Sequence, residues 1–556
     1  MIKRVPKLYC EHLNKLKIDR RLPTAELLAK LGIVSYPHSG LVNWTKTGLL
    51  TLDKISSIIR KSLDSRGYEE LRLSLLSHKD AWVTTERWFH KDFFKIKDEN
   101  FLLVPTAEEP ITEHMKRALE SYKQLPLTYY QINQKFRKEK RARGGLLRGK
   151  EFLMKDAYSF DVDEASALKT YEDMTGAYHE IFQNIGVSYV RAQADSGSIG
   201  GEMSHEWHLS NETGEDTIFT CDSCGHVSNI EKTLSLPTDE QLQNWGSGDV
   251  SVAYFTNNKR DTLVCAYYPA DRVLEPKFLL SEIPDLDITD ARPDSEKVQQ
   301  FETMSEADMN ASVVRVMDAR LNSRSNFPDF PIKFANRSMI TTLTDVPIVS
   351  ANEGEVCGEC EDGTLTKSKA IEIGHTFYLD DKYSKPMELK IDVPTEKGID
   401  KRYVKMGCYG IGVSRLVGAV AEINRDDGGL RWPRSIAPWE VTVVSDHDSS
   451  KIDEMVEQLS RLDYRWDDRN EPIGKKIRES NIMGIPLVVV LGKNYPVVEI
   501  EVRGTMDTTA REQIKQASID AAFHWEIAPQ DHNHPAKHFV DKDHLVHVVN
   551  KILVHL

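Results

Sequence analysis

The chain has 556 residues, 40 % of them hydrophobic, with 72 Lys and Arg against 86 Asp and Glu and a net charge of −14. That length calls for about three or four domains, no apolar run approaches the roughly 20 residues that cross a bilayer, and the acidic total argues against indiscriminate nucleic-acid binding. Seven cysteines in so long a chain form no secreted disulfide framework, which predicts a reducing compartment.

The first 21 residues carry seven Lys and Arg, with Glu11 and Asp19 as the only acids. This predicts a basic segment over residues 1–23, either a mitochondrial targeting helix or a helix that opens the mature protein. Leu52, Ile55, Ile59 and Leu63 have helical spacing, with Gly67 as a stop. Tyr68–Leu76 reads as a strand. Ile111, Met115, Leu119 and Tyr122 predict a helix after the turn Pro105-Thr-Ala-Glu-Glu109. Leu127–Gln134 and Leu153–Phe160 read as antiparallel strands flanking a basic loop, and Leu168, Tyr171, Met174, Tyr178, Ile181 and Phe182 mark a helix closed by Gly186. From about Asn229 to Ser350 the composition shifts to Pro, Asp and Ser. That stretch predicts short strands, among them a hairpin over Ser251–Tyr268, and no strong helix. After Pro438 a βα alternation runs through Val441–Val444, Tyr464–Asp468, a helix to Ile477 and Pro486–Leu491. Beyond Thr509 lies a His-rich tail (His524, His532, His534, His538, His544, His547 and His555). It reads as a solvated surface segment, because no metal-ligand spacing recurs.

The chemistry concentrates between Lys135 and Lys150, where eight Lys and Arg stand against Glu139 alone. An Arg two residues ahead of a Glu (Arg137, Glu139), then a basic loop and Arg148-xxx-Phe152, suits a nucleotide. A guanidinium forks onto phosphate and an aromatic ring stacks on a base. Two knuckles, Cys221-Asp-Ser-Cys224 and Cys357-Gly-Glu-Cys360, have the spacing of a tetrahedral zinc site, although 132 residues separate them.

Phe136-Arg-Lys-Glu139 with Arg148-xxx-Phe152 resembles motif 2 of class II aminoacyl-tRNA synthetases, and Gly410-Ile-Gly-Val-Ser-Arg415 resembles their motif 3. Ser121-Tyr-Lys-Gln-Leu-Pro126, Glu151-Phe-Leu-Met-Lys-Asp-Ala-Tyr-Ser-Phe160, the Gln193–Gly201 string and Met406-Gly-Cys-Tyr-Gly-Ile-Gly412 look like prolyl-tRNA synthetases of the bacterial and mitochondrial type. The resemblance runs from about Thr24 to Arg503 and implies an ATP- and Mg²⁺-dependent proline–tRNA ligase that takes L-proline and tRNA(Pro). Arg137 would bridge the prolyl carboxylate and the α-phosphate, and Arg415 would reach the far phosphate. Glu139 would accept from the adenine amino group, Phe152 would stack on the ring, and Arg148 would hold outer phosphates. Glu372 and His375 would line the ATP/Mg²⁺ side. Thr106, Glu108 and Glu206 would face the proline. Gly410 and Gly412 would let the backbone approach the nucleotide. Asp468 and Arg469 match the anticodon side. Threonine as the amino acid, or a synthetase-like binding protein without catalysis, are the competing readings.

The implied fold is α+β. A class II antiparallel-sheet catalytic domain spans residues 24–228 and 351–438, with an editing-type insertion at 229–350. An α/β anticodon-binding domain follows at 439–508, then a C-terminal extension at 509–556. The insertion is shorter than the bacterial editing domain, and the lysine-bearing strand-and-helix start of its pocket is not identifiable; Gly246-Ser-Gly-Asp-Val250 stands where it would be expected. Weak or absent self-editing is therefore expected. Motif 1 would form a homodimer interface, with Ser74 in place of the family's proline. The reduced insertion favours the mitochondrial matrix over a bacterial cytoplasm, and no membrane association is expected.

Overall fold

The computed structural model describes residues 21–556 except 198, 202, 245–248, 306–310, 329, 331–339, 397, 447–449 and 529–535. Most of the basic N-terminal segment, most of the Gly246–Val250 string, and His532 and His534 therefore lie outside the described residues. The chain forms two compact units: residues 1–189, 196–209 and 371–556 make one, and 190–195 with 210–370 the other.

In the first unit, Leu127–Phe136 and Glu151–Asp161 form a long antiparallel hairpin, with Tyr130 opposite Ala157 and Lys135 opposite Phe152. Lys405–Gly412 pairs with the second of these strands and with the later residues of Leu365–Asp380. Helices Lys46–Asp64, Glu164–Ile185 and Val413–Asn424 supply much of the core of this unit. Local signals fix their ends. Thr45 accepts from the Gly48 amide, Asp163 from the Ser166 amide, and Gly186 closes its helix at φ 84°. Leu168, placed on the core face by periodicity, is 37 % exposed.

Two expected elements are shorter than predicted. Within Tyr68–Leu76 only Glu69–Glu70 is a strand, because the next ladder position is taken by a side chain: the Leu73 amide donates to Gln131 Oε1 at 3.1 Å. Leu76–His78 instead joins a separate three-stranded sheet with Phe101–Leu103 and Phe94–Lys95. The helix after the Thr-Ala-Glu-Glu turn, Glu108–Ala118, ends before Tyr122, which opens its own single turn capped by Ser121.

Residues 441–541 build a six-stranded sheet in the order Tyr464–Asp467, Val441–Ser445, Leu487–Leu491, Val497–Val502, Ala536–Asp541, Trp525–Ile527. The first three strands are parallel and the others antiparallel. The region beyond Thr509 is therefore not a solvated tail. It supplies two strands and helix Leu545–Leu553, and Trp525, Val540, Leu545, Val548, Val549 and Ile552 pack with Val441, Leu487 and Ile500. Its histidines also serve the packing: His544 stacks on Phe523 at 4.0 Å, and His538 is buried.

The second unit contains a five-stranded sheet, Leu286–Asp287, Val250–Asn257, Thr262–Pro269, Ser312–Asp318 and Ile340–Val346 in spatial order. The expected hairpin is present. A helix, Asp294–Ser305, is also present, and its buried residues are Lys297 and Phe301. Val298 and Met304 pack against the same core only partly buried, so the hydrophobic period is weak. Elsewhere in this unit Glu355, fully buried, accepts from Arg272 (2.6 Å) and Arg320 (2.8 Å) next to the Cys357 knuckle.

Candidate active site

The first unit carries a cleft of about 840 Å³, part of it open to solvent, at the loop end of the motif 2 hairpin. Thr106, Arg137, Glu139, Arg148, Phe152, Glu372, His375 and Arg415 all line it, together with Cys408, Gly410 and Gly412. Four strands and a helix start deliver these groups. The hairpin brings Arg137 beside Phe152, with the guanidinium 5.2 Å from the ring centroid. Leu365–Asp380 presents Glu372 and His375, and Lys405–Gly412 runs into the helix that bears Arg415. A Cβ added at Gly410 would lie 2.8 Å from Met154 Cε, so a side chain there would push the methionine tip aside.

The cations are held by named partners. Arg415 donates Nη1 to Glu372 Oε2 (2.8 Å) and Nε to the Leu147 carbonyl (2.8 Å). Arg148 Nε donates to Glu139 Oε2 at 2.8 Å. Arg137 Nε reaches the Pro105 carbonyl at 3.4 Å, and both burial and the nearby Arg415 charge lower its pKa. Burial would raise the Glu372 pKa, but the His375 hydrogen bond and Arg415 reverse this and hold it well below the carboxylate range. His375 lies 3.4 Å from Glu372 and 3.6 Å from Glu206, and stacks on Phe377.

Two predicted residues stand behind the surface of the cleft. Glu206 is held by His208 Nε2 at 3.0 Å. Glu108 is fully buried, and its Oε1 accepts from Thr106 Oγ1 (2.7 Å) and the Cys408 thiol (3.1 Å), both of which do line the cleft. Its Oε2 faces Arg87 Nη1 at 3.1 Å. Burial would lift the Glu108 pKa, whereas Arg87 and the two hydrogen bonds hold it below the ordinary value. The turn bearing these groups is fixed from below: the Ala107 amide donates to Tyr158 OH (2.8 Å), Tyr158 to Asp156 (2.9 Å), and Lys135 closes on Asp156 at 2.6 Å.

Asp468 and Arg469 lie in the other α/β layer of this unit. Arg469 forks onto Asp467 at 2.8 and 2.6 Å and reaches Glu479 at 2.7 Å. In the second unit, one sulfur position from each of the four knuckle cysteines falls within 4.8 Å of all the others, and Cys221 Sγ is 3.7 Å from Cys360 Sγ. A tetrahedron with arms of about 2.3 Å has edges of about 3.8 Å. The four thiols therefore fit a zinc ion.

Residues 93–424 match the model of the tRNA synthetase class II core domain of the G, H, P, S and T group, and residues 441–523 match the anticodon binding domain. A cytoplasmic proline–tRNA ligase of Candida albicans is 52 % identical over 99 % of this chain and 98 % of its own length. The chain belongs to the proline–tRNA ligase family. A relative from Saccharomyces cerevisiae, named as a mitochondrial proline–tRNA ligase, is 41 % identical over 95 % of each chain, and a bacterial one from Magnetococcus marinus is 33 % identical over 84 % of this chain and 89 % of its own. The prolyl-tRNA synthetase of Cryptosporidium parvum, solved with L-proline and AMP, shares the fold at 12 % identity. The TM-score is 0.55, over 96 % of this chain and 76 % of that one. The family's class II core and anticodon-binding domain agree with the expected α+β architecture.

Sequence reasoning missed two residues at this proline–tRNA ligase core. Lys155 is fully buried beneath the cleft, donates to the Tyr409 carbonyl and Tyr178 OH at 3.0 Å each, and is pushed down to about 7 by burial. Arg87, the partner of Glu108, lies on a single turn, Arg87–Phe89, with no motif around it. An Arg nineteen residues ahead of the Thr-x-Glu turn carries no spacing signal.

Proposed function

We propose that this chain activates L-proline with ATP and transfers it to the 3′ end of tRNA(Pro). The observation that carries this reading is the convergence of Arg137, Arg148 and Arg415 on one cleft whose far wall is Thr106 and Cys408, backed by the buried Glu108 charge. Adenylate formation joins a carboxylate to the α-phosphate, so two anions must be held in line. Positioning and charge stabilisation, rather than proton transfer, then dominate the barrier. Arg137, between the two walls, takes the prolyl carboxylate and the α-phosphate. Phe152 stacks on the adenine and Glu139 accepts from its amino group, while Arg148 and Arg415 hold outer phosphate oxygens. Glu372 and His375 line the side where Mg²⁺, when bound, neutralises charge on the leaving pyrophosphate. Glu108, through Thr106 and Cys408, supplies the negative potential for proline's ammonium, with Glu206 on the same side. Asp468 and Arg469 are assigned to the anticodon side.

ATP–pyrophosphate exchange tests the reading. We expect exchange that depends on proline and not on threonine; exchange with threonine, or with no amino acid in a folded sample, would overturn it. An apolar pocket that accepts proline also admits alanine. Weak or absent self-editing is proposed for the insertion, taken as residues 229–350, because it is shorter than the bacterial editing domain. Hydrolysis of alanyl-tRNA by the same preparation would count against this.

The four knuckle cysteines are assigned a structural zinc. A homodimer is proposed on the exposed Leu76, Val83, Phe89 and Phe101 near motif 1, and a one-chain mass by light scattering would exclude it. The mitochondrial matrix is the proposed compartment, as the 41 % relative supports. The 52 % relative's name favours the cytosol, and cell fractionation decides between them.

A further inference from the structure

Two adjacent glutamates at the start of helix Glu108–Ala118 are both fully buried, and one guanidinium serves them. Arg87 Nη1 lies 3.1 Å from Glu108 Oε2 and 3.0 and 3.1 Å from the two oxygens of Glu109. The cation itself is enclosed by rings, with Trp82 at 5.3 Å, Tyr383 at 5.5 Å and Phe93 at 5.9 Å from its centre. Buried charges of this kind depend on partners for their polar atoms. On the carboxylate side these are present: Thr85 donates to Glu109 Oε1 at 2.8 Å, and Thr106 and Cys408 donate to the remaining Glu108 oxygen, whereas Arg87 Nε is buried without a hydrogen-bond partner. The division of labour follows from the two oxygens of Glu108. Oε2 is turned toward Arg87, away from the cleft, and Oε1 toward the two donors that line it.

We propose that Arg87 is a positioning residue for amino-acid recognition, fixing the Glu108 carboxylate so that Oε1 stays charged and directed at the Thr106–Cys408 wall. The proposal rests on the proline–tRNA ligase reading and names the group behind its amine subsite. Glu109 holds the same Nη1 and does not line the cleft. Lysine at position 87 would keep the charge, but its ammonium ends one bond short of the Nη1 position that meets both carboxylates, and it loses the planar group enclosed by the rings. Arg87 touches none of the residues assigned to ATP, so its effect belongs to one substrate only.

The test is proline-dependent pyrophosphate exchange by the full chain with Arg87→Lys, Arg87→Gln and Glu108→Gln, singly and with Arg87→Lys added to Glu108→Gln. We expect Arg87→Lys to raise KM for proline about tenfold and Arg87→Gln more than that, as an unpaired buried carboxylate takes up a proton. KM for ATP should move less than about threefold, a shift too small to mark a lost charge contact. Arg87→Lys should add nothing further once Glu108 is Gln. Equal rises in both KM values, an unchanged KM for proline, additive effects in the double variant, or failure of both Arg87 variants to fold would overturn the proposal. Wild-type exchange separates the two readings: its absence with proline sinks the ligase assignment, whereas its presence with any of those variant outcomes sinks only the role of Arg87.

Discussion

At the residue scale, two arginines stand in opposite circumstances, Arg87 buried behind the cleft and Arg137 half-buried on its wall. Arg87 has two carboxylates and a stabilised charge, whereas burial and the like charge of Arg415 both disfavour the cationic form of Arg137. A group held against its own electrostatics costs stability and serves function. Arg137→Gln is therefore expected to lower kcat for proline-dependent exchange by roughly 10²–10³-fold, the usual effect of removing one transition-state donor. Its melting temperature should be unchanged or raised. A fall in Tm with activity intact would show Arg137 to be a structural cation. Arg137 was readable in the sequence because it lies in a contiguous string with Glu139 and the loop. Arg87 was not, because only folding brings its single turn against Glu108.

Among the elements, the motif 2 hairpin was legible because strands of ten and eleven residues, each with a majority of apolar or β-branched positions, flank a basic loop. Helix Asp294–Ser305 was not, because its fully buried residues are one Lys and one Phe and its other inward residues, Val298 and Met304, are only partly buried. The two cysteine knuckles were legible as a spacing, and the fold brings their sulfurs to tetrahedral distance across 132 intervening residues. A site closed between such distant segments lends metal-binding energy to the folding of everything it encloses. We expect the purified protein to carry one zinc per chain, and Cys357→Ser to lose that zinc and unfold residues 210–370 at lower temperature. A metal-free protein with an unaltered melt would reduce the knuckles to two turns of free thiols.

At the scale of the whole molecule, the family strings gave the order of the domains but not where the last one ends. The helical and strand content after Thr509 was hidden because its histidines read as a polar tail. His538 explains the misreading, since it is a core residue. It sits in strand Ala536–Asp541 opposite Ile500 and Ile527, is 3 % exposed, and accepts from Trp525 Nε1 on Nδ1 at 3.0 Å. An indole can only donate, so the ring must be neutral with its proton on Nε2. Burial pushes the imidazole from its usual 6.5 down to about 4. The folded state thus favours the neutral ring and the unfolded state takes up the proton first. Stability is complete above pH 6.5 and falls as the pH drops from 6.5 toward 4. By linkage the loss approaches about 3 kcal/mol at the acid end, a large share of one domain's stability. His538→Gln keeps an acceptor and cannot titrate. The wild-type melt should shift downward between pH 6.5 and 4 relative to this variant, and parallel pH profiles would remove His538 as the cause. The transition to follow is that of residues 441–556. Its core is shared by both ends of that segment, so protonating one strand near the C-terminus weakens the sheet that begins at Val441.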